Sequence, residues 1–97
     1  MIEQSGDSLR VTVPMVIANA SALLEAGRKC LKTGQRAGKT VFDLAAVEEA
    51  DSSSLTVVFA WLRSARERGV TLSIAHPPAS MTSLAELYGV SDFLPLA

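Results

Sequence analysis

The residues able to do chemistry are few, and most of them gather in one run, Asp51-Ser52-Ser53-Ser54-Leu55. A serine becomes a nucleophile only beside a positioned base. The sole histidine, His76, stands directly before Pro77 and Pro78. That position suits a strand end better than a base, so an enzyme built on Ser53 and His76 is the weakest reading of the run. Cys30 is the only cysteine, which excludes an intramolecular disulfide and a thiolate metal cluster. Glu48, Glu49 and Asp51 read as an acidic loop rather than a metal set, because hard cations need further oxygen ligands from elsewhere. Neither a dinucleotide fingerprint nor a P-loop is present. No catalytic residue, cofactor or metal is therefore assigned.

What remains for the serines is a helix start. Small hydroxyl residues cap the free N–H groups of a first turn, and that explains one serine but does not require three. A displayed hydroxyl at a helix N-terminus also suits a phosphate, or forms part of a docking surface. Residue types alone leave capping and function open.

The elements that must position this run can be read from periodicity. Ile2–Gln4 and Leu9–Val13 flank the turn cluster Ser5-Gly6-Asp7-Ser8 and predict a hairpin. Pro14 stops the second strand or confines it to an edge. Asn19 or Ser21 is the expected cap of a helix carrying Ala22, Leu23, Ala26, Cys30 and Leu31, with Gly34 as its C-terminal cap. On this spacing Cys30 is a core thiol. A polar loop over 35–39 leads to a strand over Thr40–Leu44.

From Leu55 a helix places Leu55, Val58, Phe59, Leu62 and Ala65 on one face and Thr56, Ala60, Arg63 and Glu67 on the other, and Gly69 ends it. Val70–Ala75 alternates as a strand. Ser80 or Thr82 opens a last helix with Leu84, Leu87 and Tyr88, closed by Gly89. Phe93, Leu94 and Leu96 are expected to fold back on the body. The order β-β-α-β-α-β-α predicts one α/β domain over 1–97, a mixed sheet of about four strands with helices packed on it.

Composition narrows the partners. The chain has 97 residues and a formal charge of −1, with 48% hydrophobic and 20% charged residues. That is too apolar for disorder and lacks the basic excess that nucleic acid demands. Arg63, Arg66 and Arg68, with Glu67 among them, form a small basic patch facing a partner or lipid headgroups, or else a solvated helix face, the reading preferred on charge pattern. The start of the chain has no basic and apolar leader pattern, and no run approaches a membrane span. A cytosolic protein without direct membrane insertion is expected.

These residues resemble the STAS domain family, shared by anti-sigma-factor antagonists and the cytosolic tails of sulfate transporters. The usual antagonist motif is Asp-Ser-Ser-Gly-Leu, and its phosphorylated second serine corresponds here to Ser53, with Ser52 the other candidate acceptor. The closer similarity is to the MlaB branch. It rests on Gln4–Leu9, on Val47–Leu55, and on Ser83–Val90 with Leu94-Pro95. The resemblance implies a non-catalytic accessory subunit. It would support the cytoplasmic ATPase (MlaF-like) of a phospholipid ABC complex that also contains a permease and maintains outer-membrane lipid asymmetry in Gram-negative bacteria. Ser52 would make the key contact, and the chain would be peripheral to the inner membrane through that partner.

The alternative implied is an anti-sigma-factor antagonist whose partner is a serine kinase. Two stretches depart from the family. Ser54 replaces the common Gly, and Val13-Pro14-Met15-Val16 lacks the usual Gly-Glu-Leu-Asp. The expected docking set is Asp51, Ser52, Ser53, Ser54 and Thr56. Val57 and Trp61, at the edge of the apolar stripe, are expected either to anchor that surface or to complete the core.

Overall fold

The computed structural model describes residues 1–33 and 38–97. The expected cap Gly34 and most of the loop after it lie outside the described residues. Strands β1 (Ile2–Ser5) and β2 (Ser8–Val11) form the hairpin, turning at Gly6 with φ +59°. Helix α1 (Ile17–Thr33) leads to β3 (Lys39–Asp43), α2 (Ser53–Glu67), β4 (Thr71–Ala75), α3 (Ala79–Leu87) and a 3-10 turn at Ser91–Phe93. Strand order is β1-β2-β3-β4, antiparallel for the first pair and parallel for the others. The parallel pairs follow from the helical crossovers, since only a long connection returns a strand in the same direction. This is the architecture the periodicity predicts.

The sheet alternates as a half-buried surface should. Thr40, Phe42, Leu72 and Ile74 are buried, while Lys39 and Thr71 face solvent. Helices α1 and α2 pack against one another. The buried positions of α1 are Leu23, Gly27 and Leu31, and those of α2 include Val57, Val58, Trp61 and Ala65. Each set follows helical spacing, but both stripes are rotated from the expected ones. Ala22 is exposed and Cys30 half-buried, with burial pushing its thiol pKa up. Phe59 and Leu62 sit at the margin of the α2 stripe rather than at its centre.

Trp61 is the reason for the rotation. It is fully buried, its ring stacked on Phe42 with centroids 4.4 Å apart and planes at 15°. Its Nε1–H donates to the carbonyls of Leu23 and Leu24 at 3.2 Å each. A buried indole needs such a partner, and α1 supplies it by coming very close. A Cβ on Gly27 would lie 2.1 Å from Trp61 Nε1, so glycine is what lets the two helices meet there.

The chain's end closes part of the sheet edge. Ile74 N–H donates to Pro95 O at 2.7 Å, and Ala97 N–H donates to Ile74 O at 2.9 Å. Leu94 is buried as expected, whereas Phe93 and Leu96 stay exposed at 68% and 53%. Gly69 and Gly89 end α2 and α3 at positive φ, as their positions predict. Among the described residues no helix is long and apolar enough to cross a membrane.

Candidate functional site

The serine run is held by two loops that enter helices. Residues 12–16 lead into α1, and residues 44–52 lead from β3 into α2. They are zipped at a parallel bridge between Met15 and Ala50: Met15 N–H donates to Glu49 O at 2.9 Å and Asp51 N–H to Met15 O at 3.1 Å. Leu44, Val47, Ala50 and Met15 are buried beneath the bridge and fix both loops to the core.

Asp51 joins the two helix starts. Its Oδ2 accepts the Ile17 N–H at 3.0 Å, and its Oδ1 accepts the Ser53 N–H at 2.9 Å together with the Ser53 hydroxyl. One carboxylate thus satisfies orphan donors at the N-termini of α1 and α2, where negative charge is also favoured by the helix dipoles. These bonds, the Ser53 hydroxyl first and the Ile17 amide next, hold the Asp51 carboxyl below the usual carboxylate range. Asp51 is a structural clamp, and its carboxylate is already committed. The expected caps take other roles. Asn19 lies inside α1 and its side-chain amide donates to Pro14 O at 2.8 Å, and Ser52, at the N-cap of α2, makes no side-chain cap bond. Helix α3 starts at Ala79, ahead of Ser80 and Thr82.

The three serines are sorted by depth. Ser52 is exposed. Ser53 is half-buried and donates to Asp51. Ser54 is fully buried, its hydroxyl donating to Asp51 O at 2.7 Å. Of the expected docking set, Ser52, Ser53 and Thr56 reach the surface together with part of Asp51. Ser54, Val57 and Trp61 do not: all three are buried, and a side chain without accessible surface cannot touch a partner. The anchor reading of Val57 and Trp61 is corrected to a core role, because the indole has its stacking partner and both its carbonyl acceptors inside the domain.

Other apolar side chains stand exposed beside the serine turn. A shallow groove of about 550 Å³ beside the serine turn is lined by Ile17, Ser52, Ser53, Thr56, Phe59 and Tyr88, among others. Ile17 is 74% exposed and Tyr88 56%. Helical spacing put Phe59 on the apolar face of α2, placed Tyr88 on the last helix without a site role, and gave Ile17 no role. The available signal was an excess of apolar residues in α3, where Met81 and Ala85 already fill the buried stripe and Leu87 and Tyr88 point away.

The histidine belongs elsewhere. His76, at φ +54°, places Nδ1 3.1 Å from Asp43 Oδ1. The Ala45 N–H bond to Asp43 and then the His76 bond lower the Asp43 pKa. Ser53 and His76 therefore bond to different carboxylates and form no dyad. Glu48 and Glu49 are exposed, and among the described residues no group of three or more His, Cys, Asp or Glu side chains is placed to hold a metal.

Comparison with known proteins bears on the family and the fold. The family model described as "Mlab, STAS domain" matches residues 2–96. No curated protein matches. Among solved structures, TM1081 of Thermotoga maritima, a proposed anti-sigma factor antagonist, superposes with a TM-score of 0.75 at 20% identity, covering 99% of this chain and 83% of its own. The Bacillus cell-fate determinant SpoIIAA in its phosphorylated form gives 0.67 at 12% identity, covering 100% and 89%. These likenesses concern the fold. With the family match spanning nearly all residues, the chain belongs to the Mlab STAS-domain family.

Proposed function

We propose that this domain is a non-catalytic accessory subunit that binds the MlaF-like ATPase of a phospholipid-transporting ABC complex, on the cytoplasmic side and next to the complex's permease. The carrying observation is the surface around Ser52. A free hydroxyl and Thr56 form a polar rim, and Ile17, Phe59 and Tyr88 form an apolar floor beside it. Exposed apolar patches with polar margins mark protein interfaces. The Asp51 clamp holds this surface rigid before a partner arrives, which lowers the cost of binding. The family match supports the choice of partner. Replacing Ser52 by arginine puts a bulky charge at the rim without touching the core. The expected result is loss of co-purification with the ATPase at unchanged stability. Retained co-purification rejects the assignment.

A second reading has its own support in Ser53. This serine is the first residue of α2, where the positive end of the helix dipole favours a phosphate. Incubation with a cognate anti-sigma serine kinase and ATP, followed by intact-mass measurement, tests it. One added phosphate mapped to Ser53 favours the phosphorylation switch over the transporter role. The Asp51 carboxylate opposes it, because a phosphoryl group on Ser53 would replace a hydrogen bond with like-charge repulsion.

A further inference from the structure

The formal charge of −1 conceals a division along the chain. The segments 11–27, 40–62 and 70–97 contain no Lys or Arg, yet they hold seven of the ten acidic residues. The fold turns this pattern into two poles. Helices α1 and α2 start together at the Asp51 carboxylate and meet again where Trp61 bonds to Leu23 and Leu24, so they run side by side in one direction. Their basic residues, Arg28, Lys29 and Lys32 in α1 and Arg63 and Arg66 in α2, all lie toward the C-terminal ends, where the helix dipole favours cations. Lys39 starts β3 at that same end, opposite Thr71. Arg10 is the exception, and it pairs in the sheet with Glu3 on one side and Asp43 on the other.

Every residue that lines the groove at the serine turn comes from the segments without cations. On the rise of an α-helix, Arg28 lies about 16 Å along α1 from Ile17, and Arg63 about 15 Å along α2 from Ser53. Both spans exceed the screening length of about 8 Å at physiological salt. Exposed carboxylates lie nearer. Glu49 O accepts the N–H of Met15, two residues before Ile17, and Glu48 and Glu49 stand directly before Ala50 and Asp51. Neither glutamate takes part in an ion pair among the described residues.

We infer that the partner segment seated on this groove is cationic and amphipathic: an aliphatic or aromatic side chain enters the floor of Ile17, Phe59 and Tyr88, and flanking Lys or Arg side chains meet Glu48 and Glu49. This rests on the Ser52 surface being the docking site, and it names the chemistry of what docks there. The apolar floor holds the partner, and the acidic sector brings it in. Exposed charge pairs add little to a complex once formed, whereas the field of a whole one-signed sector acts during approach and sets the association rate. The same field repels an anionic surface from this face of the domain.

The test measures association and dissociation rate constants of the full chain with the purified ABC ATPase at low and high NaCl. The expected association rate falls on the order of tenfold as salt rises. E48K together with E49K should slow association on the order of tenfold at low salt and leave dissociation nearly unchanged. Both positions are exposed, so the urea midpoint should stay at the parental value. R66E together with R68E, at the opposite pole, should not slow association. A salt-independent rate, a parental rate for the glutamate variant, or equal slowing by both double variants overturns the inference. S52R separates this failure from that of the docking surface. If S52R abolishes binding while the glutamate variant associates at the parental rate, only the cationic partner is rejected. If S52R binds as the parent does, or the parent itself does not bind, the surface and the inference are rejected together.

Discussion

Asp51 and Ile17 lie 34 positions apart, yet the Asp51 carboxylate accepts the Ile17 N–H at 3.0 Å. That bond ties the start of α1 to the start of α2, and with the Met15–Ala50 bridge it fixes the surface that carries Ser52. The acidic residue of the motif is thus spent inside the domain, and the Ser52 hydroxyl beside it stays exposed.

The clamp predicts an acid-sensitive domain. The native Asp51 carboxyl is held below its usual pKa, so on acidification the unfolded chain takes up its proton first. Stabilisation from this group is complete above the unfolded-state value and is lost as pH falls through the folded one. Urea melts across the carboxylate range should show D51N less stable than the parent at neutral pH, with the gap narrowing in acid. A gap that stays constant with pH would show that the charge on the Asp51 carboxylate contributes nothing.

Gly27→Ala should destabilise the domain even though alanine is the better helix former by about 1 kcal/mol. The new methyl would sit 2.1 Å from a buried, doubly bonded indole nitrogen that has nowhere to move. Overpacking of this kind costs about 1–3 kcal/mol. Chemical denaturation measures it, and a midpoint equal to or above the parent's contradicts the close approach of α1 to Trp61.

Trp61→Ala separates a core role from a surface one. Removing a buried aromatic costs about 3–5 kcal/mol, a large share of the 5–15 kcal/mol typical of a domain. Trp61→Phe keeps a ring on Phe42 but leaves the Leu23 and Leu24 carbonyls without their shared donor, so an intermediate loss is expected. An alanine variant with parental stability would restore Trp61 to the surface.

The serines should behave unequally. Ser54→Ala deletes a buried hydroxyl bond at 2.7 Å and should cost about 1 kcal/mol. Ser52→Ala, at an exposed position without a cap bond, should fall within about 0.5 kcal/mol of the parent. Urea midpoints decide, and the reverse order would refute the depth assignment.

Tyr88→Ala tests the docking floor. Tyr88 is more than half exposed, so thermal stability should hardly change. If the groove at Ser52 engages the ATPase, loss of this aromatic should weaken the complex by about tenfold or more, as truncation of an interface anchor does. Unchanged affinity in a titration with the purified ATPase removes Tyr88 from the interface.

Much of this protein was legible as a one-dimensional pattern. The alternation of β2 and β4, the helical period after Leu55, the stops at Gly69 and Gly89, and the serine run at a helix start are local properties. They yield the element order, and parallel pairing follows from crossover length. Which residues face inward on α2 was legible only approximately. A stripe centred between Leu55 and Leu62 and one centred on Trp61 differ by a modest rotation, and hydrophobicity along the chain does not distinguish them. The outcome depended on α1, where Gly27 admits the indole and two carbonyls receive its N–H.

The site divides in the same way. Sequence by itself determined that hydroxyls gather at the start of α2 and that little other chemistry is available, because residue types are local. Only the tertiary structure decided that Asp51 is consumed by a distant amide, that Ser54 is buried while Ser52 is free, and that Ile17 and Tyr88 rather than Trp61 flank the turn. Each of those depends on contacts between residues far apart in the chain, and such contacts exist only once the helices have docked on the sheet.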